Sequence, residues 1–323
     1  MRKRAQRRES IDIEERQYVS QPTKQVFGKK PFRIKKNWWV AITLVGIFLL
    51  VLFFNTYYNL ISDVAINPEG EGFEKFYLSG PDPYYNMRLV EETYNTGKYP
   101  FYYENDPLLN YPLGRTGNRA PLLNMMALGF SRFLAPFMSE IDAIGYSMQF
   151  IPALFGALLI FVVYFIGKEL FNKKVGLIAA MFIAIIPAHL SSGHGSAYSL
   201  FDHDSLNLLI FFLTFLFLIK SIKEENSTKS LLYALLGGIS LAGLSLVWVE
   251  AHFLYAVIGV YAIVQMLIDI FTNKIEFKVF RTTSIILLMG YLLSLPVSFR
   301  AAGFNPSLSL YISVIVAVFG AIY

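Results

Sequence analysis

Apolar residues are concentrated in long runs separated by short polar segments. The first run, WWVAITLVGIFLLVLFFNTYY, has about twenty residues, enough to span roughly 30 Å of hydrocarbon. The pattern predicts an all-α polytopic membrane protein with about eight transmembrane helices and a long first external loop containing short helices. The later spans are expected at about 143–167, 175–193, 205–222, 231–250, 252–272, 282–299 and 308–323. The corresponding domains are a basic tail (1–36), a first transmembrane helix (37–59), a first external loop (60–142) and a multi-span region (143–323).

The basic residues predict the orientation of these spans. Residues 1–36 contain 12 Lys and Arg against 4 Asp and Glu, a net charge of +8, whereas the whole chain carries +5, which leaves −3 for the rest. If the N-terminus is cytoplasmic, the later Lys-rich loops are also cytoplasmic, as the positive-inside rule requires. We therefore expect a multi-pass protein of the cell membrane with a cytoplasmic N-terminus and no nucleic acid among its partners.

Composition limits the chemistry. Hydrophobic residues make up 55% of the chain and charged residues 16%, and there is no cysteine. Disulfides, thiolate metal sites and nucleophilic cysteines are therefore excluded. No P-loop, GxGxxG or HExxH motif occurs, so nucleotide binding and a zincin-type site have no support. The predicted topology instead collects several carboxylates, and all four histidines, at the external face.

The external loop contains two predicted helices. DPYYNMRLVEETYNTG reads as a helix with Asp82 at the N-cap, Pro83 at its first position and Gly97 as its stop. A cap alone would account for Asp82. The stretch NRAPLLNMMALGFSRFLAPF is typical of an interfacial amphipathic helix, with Arg119 and Arg132 available to face lipid headgroups.

The motif FDHD, residues 201–204, is a candidate metal site. Asp202 and Asp204 at i and i+2 can reach one hard cation, because carboxylate oxygens suit Mg²⁺ or Mn²⁺. The structural alternative is a solvated turn in which Asp204 caps the next span. Asp82 emerges on the same side, and three carboxylates repel one another unless a cation compensates them. We therefore expect the three carboxyl groups within roughly 4 to 6 Å of one another.

His203 stands between the two proposed ligands. An imidazole binds Mn²⁺ acceptably, so His203 is a candidate ligand or a neighbour that supports the ligands. An extended turn would aim His203 away from the aspartate pair, because side chains alternate along extended backbone.

DPYYNMR and NYPLGR in one external segment, followed after the third span by a G…FDHD turn, resemble the catalytic subunit of oligosaccharyltransferase. This C-type glycosyltransferase resemblance covers about residues 38–300 and is closest to archaeal members. It implies that Asp82 is the family's first catalytic aspartate and that Asp202 and Asp204 form its second acidic motif. The three together would hold a divalent cation, Mn²⁺ or Mg²⁺, and Asp82 would also orient the acceptor amide.

The resemblance implies an enzyme at the external membrane surface. Its donor would be a lipid-linked oligosaccharide on a dolichol-type phosphate or diphosphate, and its acceptor the Asn of Asn-X-Ser/Thr in a polypeptide. The departing phosphate needs positive charge beyond one cation, and Arg88, Arg115, Arg119 and Arg300 are candidates for that contact, with Arg88 and Arg115 favoured. Headgroups, or the neighbouring Glu91 and Glu92, are the alternative partners of these arginines.

The chain also departs from the family pattern. A later glutamate motif and a soluble C-terminal domain with WWDYG are not found, so we expect either the N-terminal part of a longer protein or a reduced relative. One alternative function is another C-type lipid-dependent glycosyltransferase that uses the same aspartate on a hydroxyl or lipid acceptor. A transporter is less favoured, because charged residues inside membrane spans mark transport pathways and the predicted spans contain few.

Overall fold

The computed structural model describes residues 38–61, 65–102, 104–186, 196–273, 277–302 and 308–322. Within these ranges the chain forms ten α-helices and one short hairpin. The helices are α1 (Trp38–Ile61), α2 (Pro81–Thr96), α3 (Leu122–Leu134), α4 (Glu140–Leu170), α5 (Lys173–Ile185), α6 (Asp204–Lys223), α7 (Ser227–Ser245), α8 (His252–Thr272), α9 (Phe277–Ala302) and α10 (Leu308–Ile322). The hairpin pairs β1 (Asn105–Asp106) with β2 (Arg115–Thr116), antiparallel. Short 3-10 turns cover Gly72–Lys75 and Val249–Ala251.

The prediction of a mainly helical membrane protein is confirmed. Among the described residues, five helices are long and apolar enough to cross a membrane: Trp38–Tyr57, Glu140–Leu170, Asp204–Lys223, Val249–Thr272 and Phe277–Val297. Leu308–Gly320 and Leu122–Leu134 are shorter apolar helices. The count of about eight spans therefore stays a prediction.

Contacts divide the chain into two units, Met1–Trp39 and Val40–Tyr323. The helix packing and the site both lie within the second. There, α4 packs against α5 and α6, α6 against α7, and α7 against α9. Small residues permit the closest approach: a Cβ added at Gly167 of α4 would lie 2.8 Å from the Gly176 Cα of α5. Close backbone approach through small residues is a common way for membrane helices to associate.

The segment before α2 is fastened to α4. The buried Phe76 ring packs on α4 so closely that a Cβ at Gly145 would lie 2.2 Å from it. Gln149, fully buried on α4, donates hydrogen bonds to the carbonyl oxygens of Ala65 (2.6 Å) and Tyr77 (3.0 Å) and accepts one from the Tyr198 hydroxyl (3.0 Å). A buried amide must find such partners, so Gln149 joins the segment before α2 to the one before α6.

The two stretches predicted as short helices after the first span are helical, with altered boundaries, whereas their position in an external loop stays a prediction. Helix α2 begins at Pro81, its N-cap is Gly80 with φ 100°, and Asp82 lies in its first turn, so the prediction of Asp82 as N-cap was wrong by two residues. The predicted stop is confirmed, because Gly97 closes the helix in the left-handed region at φ 70°. Helix α6 begins at Asp204 itself, with His203 rather than Asp204 at the N-cap.

Candidate functional site

Asp82 is carried on the first turn of α2. The glycine before the helix supplies a positive φ, and Pro81 suits the first helical position because its missing N–H would have no helical partner. The Asp82 side chain is 54% exposed. One helical turn further on, the buried Asn86 amide donates to the Phe201 carbonyl at 3.0 Å. This bond ties the Asp82 helix directly to the residue that precedes Asp202.

The aspartate turn is compact. Asp202 Oδ1 accepts the His203 backbone N–H at 2.7 Å and lies 2.6 Å from His203 Nδ1. The Asp202 side chain is only 12% exposed. Burial alone would raise its pKa, but the hydrogen bonds and charge of His203 outweigh burial, so the pKa of Asp202 lies below its ordinary value. Asp202 is therefore held as a carboxylate at neutral pH.

His203 faces the aspartates. Its backbone is helical (φ −72°, ψ −14°), not extended, so the alternation that would aim it away from the pair does not apply. His203 Nδ1 lies 2.6 Å from Asp202 Oδ1, which can only accept a hydrogen bond, and 3.0 Å from Arg119 Nη1, which can only donate one. His203 Nε2 lies 3.8 Å from Asp204 Oδ1.

Arg119 joins the two parts of the site. Its Nη2 lies 2.7 Å from Asp82 Oδ2, and its Nη1 lies 3.4 Å from Asp202 Oδ1 and 3.0 Å from His203 Nδ1. The residue was expected to face lipid headgroups or the donor phosphate; in the structure its guanidinium bridges two carboxylates that are distant in sequence. Its backbone is fixed, because the Tyr99 hydroxyl donates to the Arg119 carbonyl (3.1 Å) and accepts from the Asn124 amide (2.9 Å).

The donor set suits a divalent cation in its chemistry. Asp82, Asp202 and Asp204 supply hard oxygen ligands, and His203 Nε2 adds a nitrogen that Mn²⁺ tolerates. As the side chains stand, the described part of the chain holds no group of three or more His, Asp or Glu arranged to hold a metal ion. The guanidinium of Arg119 provides the positive charge between Asp82 and Asp202 instead. The predicted shared cation and the 4 to 6 Å carboxyl separation stay predictions.

Of the two favoured phosphate contacts, Arg88 already has a strong partner. Its Nη2 lies 2.6 Å from both carboxylate oxygens of Asp106, whose side chain is 0% exposed. Its guanidinium also lies over the rings of Tyr85 (5.5 Å) and Phe101 (5.2 Å). Arg115, on β2, is exposed. The preceding Gly114 has φ 72°, and a Cβ there would lie 2.9 Å from the Asn105 side chain, so the hairpin needs glycine at this position.

An apolar groove adjoins the acidic turn. It has a volume of about 470 Å³, and its lining includes Asp204, Leu208, Phe211, Trp248 and Phe253. Asp204 contributes at the first residue of α6, so the groove leads from the carboxylate site along an apolar helix face. Sequence reasoning did not identify this groove or the partner of Arg119. His189 and His194 lie outside the described residues.

A model of the family described as oligosaccharyl transferase STT3, N-terminal, matches residues 72–323. Among curated relatives, the chain is 27% identical over 223 residues to the Arabidopsis thaliana dolichyl-diphosphooligosaccharide–protein glycosyltransferase subunit STT3B, covering 68% of this chain and 28% of the relative. It is 32% identical over 199 residues to dolichyl-phosphooligosaccharide-protein glycotransferase 2 of Archaeoglobus fulgidus, covering 61% of this chain and 30% of the relative. The chain thus spans roughly 30% of the length of these two relatives.

Solved structures share the fold. The archaeal oligosaccharyltransferase AglB from Archaeoglobus fulgidus, in complex with an inhibitory peptide and a dolichol-phosphate, matches with a TM-score of 0.72 and 22% identity, over 89% of this chain and 33% of that protein. An Archaeoglobus fulgidus oligosaccharyltransferase in complex with Zn and sulfate matches with a TM-score of 0.69 and 22% identity, over 87% of this chain and 35% of that protein.

Proposed function

Because this chain belongs to the oligosaccharyl transferase STT3 family, we propose that it takes part in protein N-glycosylation. It moves an oligosaccharide from a dolichol-type lipid phosphate or diphosphate to the side-chain amide of Asn in Asn-X-Ser/Thr. The chain is an enzyme, with a lipid-linked oligosaccharide and an acceptor polypeptide as its substrates. The names of two relatives support this reaction, because both describe the transfer of a dolichyl-linked oligosaccharide to protein.

The proposal rests on one observation: Asp82 and Asp202 both contact the guanidinium of Arg119. Arg119 contacts both carboxylates, although 83 positions separate Arg119 from Asp202. Asp82 is more than half exposed, whereas Asp202 is nearly buried. An exposed carboxylate beside a nearly buried one with a lowered pKa suits a site that receives a substrate from outside and holds a cation within.

The roles of the carboxylates follow from the chemistry of an amide. An amide nitrogen is a poor nucleophile because its lone pair is delocalised, and a carboxylate that accepts its N–H hydrogen bonds can turn the nitrogen toward the sugar. Asp82 orients the acceptor NH₂ in this way. As C1 of the glycan gains its bond to nitrogen, the bond from C1 to the phosphate oxygen breaks, and one N–H proton passes from the nitrogen to the departing phosphate.

Asp82, Asp202 and Asp204 would hold Mn²⁺ or Mg²⁺, with His203 Nε2 as a further donor. A bound divalent cation supplies electrostatic stabilisation of the departing phosphate. The Zn in the structure of an Archaeoglobus fulgidus relative supports a divalent cation in this family's fold.

The apolar groove supports a lipid donor. A polyprenyl chain is a hydrocarbon, and the groove walls from Leu208 to Phe253 are largely apolar. Because Asp204 is part of the lining, a lipid lying in the groove would bring its phosphate end near the carboxylates. Relative AglB has been solved with a dolichol-phosphate, which supports this class of donor.

The external face is the proposed location of the reaction. Asp204 begins α6 and Lys223 ends it, while Lys168 lies near the end of α4 and Lys173 begins α5. The carboxylates and the lysines therefore lie at opposite ends of the helices. The positive-inside rule places the lysine end in the cytoplasm and the carboxylate end outside.

Arg115 remains the proposed contact for the donor phosphate. It is exposed on β2, and a guanidinium can bind phosphate oxygens in a bidentate manner. Arg88 was proposed for the same role, but the contact of its Nη2 with both oxygens of the buried Asp106 supports a role in fixing the hairpin.

The test is a transfer assay with the full-length protein, a lipid-linked oligosaccharide and a labelled peptide containing Asn-X-Thr. The expected result is metal-dependent glycopeptide formation, abolished when Gln replaces the acceptor Asn. Asp82→Asn should reduce the rate, whereas Glu91→Gln, on the same helix, should not. Transfer to a hydroxyl or lipid acceptor, with none to the peptide, would support the alternative glycosyltransferase and contradict the proposal.

A further inference from the structure

The guanidinium of Arg119 lies where a cation between Asp82 and Asp202 would be needed. Its Nη2 lies 2.7 Å from Asp82, its Nη1 lies 3.4 Å from Asp202 and 3.0 Å from His203 Nδ1, and its side chain is only 21% exposed. Two carboxylates held this close repel each other unless positive charge lies between them. An arginine is charged at any physiological pH, so Arg119 supplies this compensation permanently.

A divalent cation and this guanidinium need the same oxygen atoms. Cation-to-oxygen distances are about 2.0 to 2.6 Å, shorter than the contacts Arg119 makes, so a bound ion would have to take the lone pairs now directed at the guanidinium. A positive guanidinium beside a divalent ion would also be repelled in a partly buried site. Simultaneous occupation is therefore unfavourable.

The structure permits the side chain to leave without disturbing the backbone. The Arg119 carbonyl is held by the Tyr99 hydroxyl, and the next residue, Ala120, is buried. Beyond Cα the side chain is long and rotatable, and its 2.7 Å partner Asp82 is more exposed than buried. Water can therefore replace the contact to Asp82 as the guanidinium moves outward.

We propose that Arg119 is a built-in counter-ion of Asp82 and Asp202 that competes with the divalent cation and is displaced when the cation binds. The inference rests on the metal site of the proposed function. Without metal, Arg119 keeps Asp82 and Asp202 together. Because Arg119 competes with the metal, the site binds the metal less tightly than the three carboxylates alone would. Coupling free energies between two ligands of one protein commonly change affinity by about 5- to 150-fold, and we expect an effect within that range here.

The test measures Mn²⁺ affinity directly, by electron paramagnetic resonance of free Mn²⁺ during titration of the full-length protein in detergent. Arg119→Gln should bind Mn²⁺ about 10-fold more tightly than the wild type, within the usual range of such couplings. Arg119→Lys, which keeps the charge but loses the two-armed geometry, should fall between. Arg132→Gln is the matched control, since it removes the same charge from an exposed position on α3, and it should leave the affinity unchanged.

The outcomes separate this inference from the proposed function. Unchanged affinity in Arg119→Gln, or an equal gain in Arg132→Gln, would overturn the competition. Weaker binding in Arg119→Gln, with an unchanged melting temperature, would also overturn it, because Arg119 would then organise the ligands instead of opposing the ion. If neither the wild type nor any variant bound Mn²⁺, the metal site of the proposed function would itself fall, and the competition with it.

Discussion

Arg88 and Arg119 both place a guanidinium against a carboxylate in the segment between α1 and α4, but in different surroundings. Arg88 binds both oxygens of one carboxylate, Asp106, which is completely buried. Arg119 divides its two nitrogens between Asp82 and Asp202, and Asp82 is 54% exposed. The first arrangement satisfies one buried charge and fastens α2 to the hairpin. The second leaves oxygen atoms that a ligand can reach, as a functional site requires.

The pKa of Asp106 reflects its surroundings. Burial alone would raise it, but the hydrogen bonds from Arg88 and from the Leu108 N–H outweigh burial, so the pKa lies below its ordinary value. Burial, reinforced by the charge of Asp106, also raises the pKa of Tyr85 to about 12. Both groups therefore keep one protonation state across physiological pH, as a structural contact should.

The largest expected effect is a loss of transfer activity when the nearly buried carboxylate of Asp202 is removed. Asp202→Asn keeps the shape but removes the charge, and we expect transfer to fall at least 100-fold, in line with the loss of one electrostatic stabiliser. Thermal unfolding should change little, because Asn can still accept the His203 N–H. The measurement is initial-rate transfer alongside a melting curve, and a loss that merely followed unfolding would argue against a catalytic role.

Breaking the contact between Arg88 and Asp106 should lower the stability of the folded protein. Arg88→Met keeps much of the side-chain length but leaves the Asp106 charge buried without its bidentate partner. Removing one member of a buried ion pair costs about 3 to 5 kcal/mol, and the partial exposure of Arg88 reduces this to about 2 to 3 kcal/mol. Melting temperature should fall by several degrees, with Arg132→Met as the exposed control. A stable variant with impaired donor binding would restore the phosphate role of Arg88.

His203 tests how far the site extends beyond the aspartates. His203→Ala removes the ring hydrogen bond to Asp202 but keeps the backbone N–H bond, so we expect about a 10-fold loss of transfer, below that of Asp202→Ala. The measurement is the transfer rate of His203→Ala and of Asp202→Ala, both at saturating Mn²⁺. A loss from His203→Ala as large as that from Asp202→Ala would identify His203 as a direct metal ligand.

Arg115→Lys tests whether this exposed arginine, unlike Arg88, contacts the donor phosphate. Lysine keeps the charge but loses the fork, so we expect a several-fold drop in turnover of the lipid-linked donor, with stability unaffected because Arg115 is exposed. Turnover should be measured in the full-length, metal-supplemented enzyme. Unchanged turnover would mean that Arg115 does not bind the phosphate.

The smallest effect is on acid stability. Asp106 has a lowered pKa in the folded protein, so its stabilisation is complete above its unfolded pKa, about 3.9, and is lost as pH falls through the lower folded value. Wild-type melting temperature should therefore fall more steeply between pH 5 and 3 than that of Asp106→Asn. Parallel pH profiles for the two proteins would show that the Asp106 carboxylate contributes nothing through its charge.

Features that depend on a local sequence pattern could be predicted from the sequence. Apolar runs located the helices, Gly97 marked a helix end, and the FDHD and DPYYNMR motifs led to the correct family. The partner of Arg119 could not be predicted this way, because it lies 83 positions away at Asp202 and depends on how α2, α3 and α6 pack. The burial of Asp106 was missed for the same reason: an exposed-looking NDP turn is covered only by tertiary contacts.

The most direct measurement of the central claim, that Asp82 and Asp202 share one cation site, is a structure of the full-length protein with Mn²⁺ located by anomalous scattering. The account predicts an ion within about 2.5 Å of oxygen atoms from both aspartates, with the Arg119 guanidinium withdrawn from between them. An ion bound elsewhere, or a guanidinium still bridging the two carboxylates at saturating Mn²⁺, would contradict it.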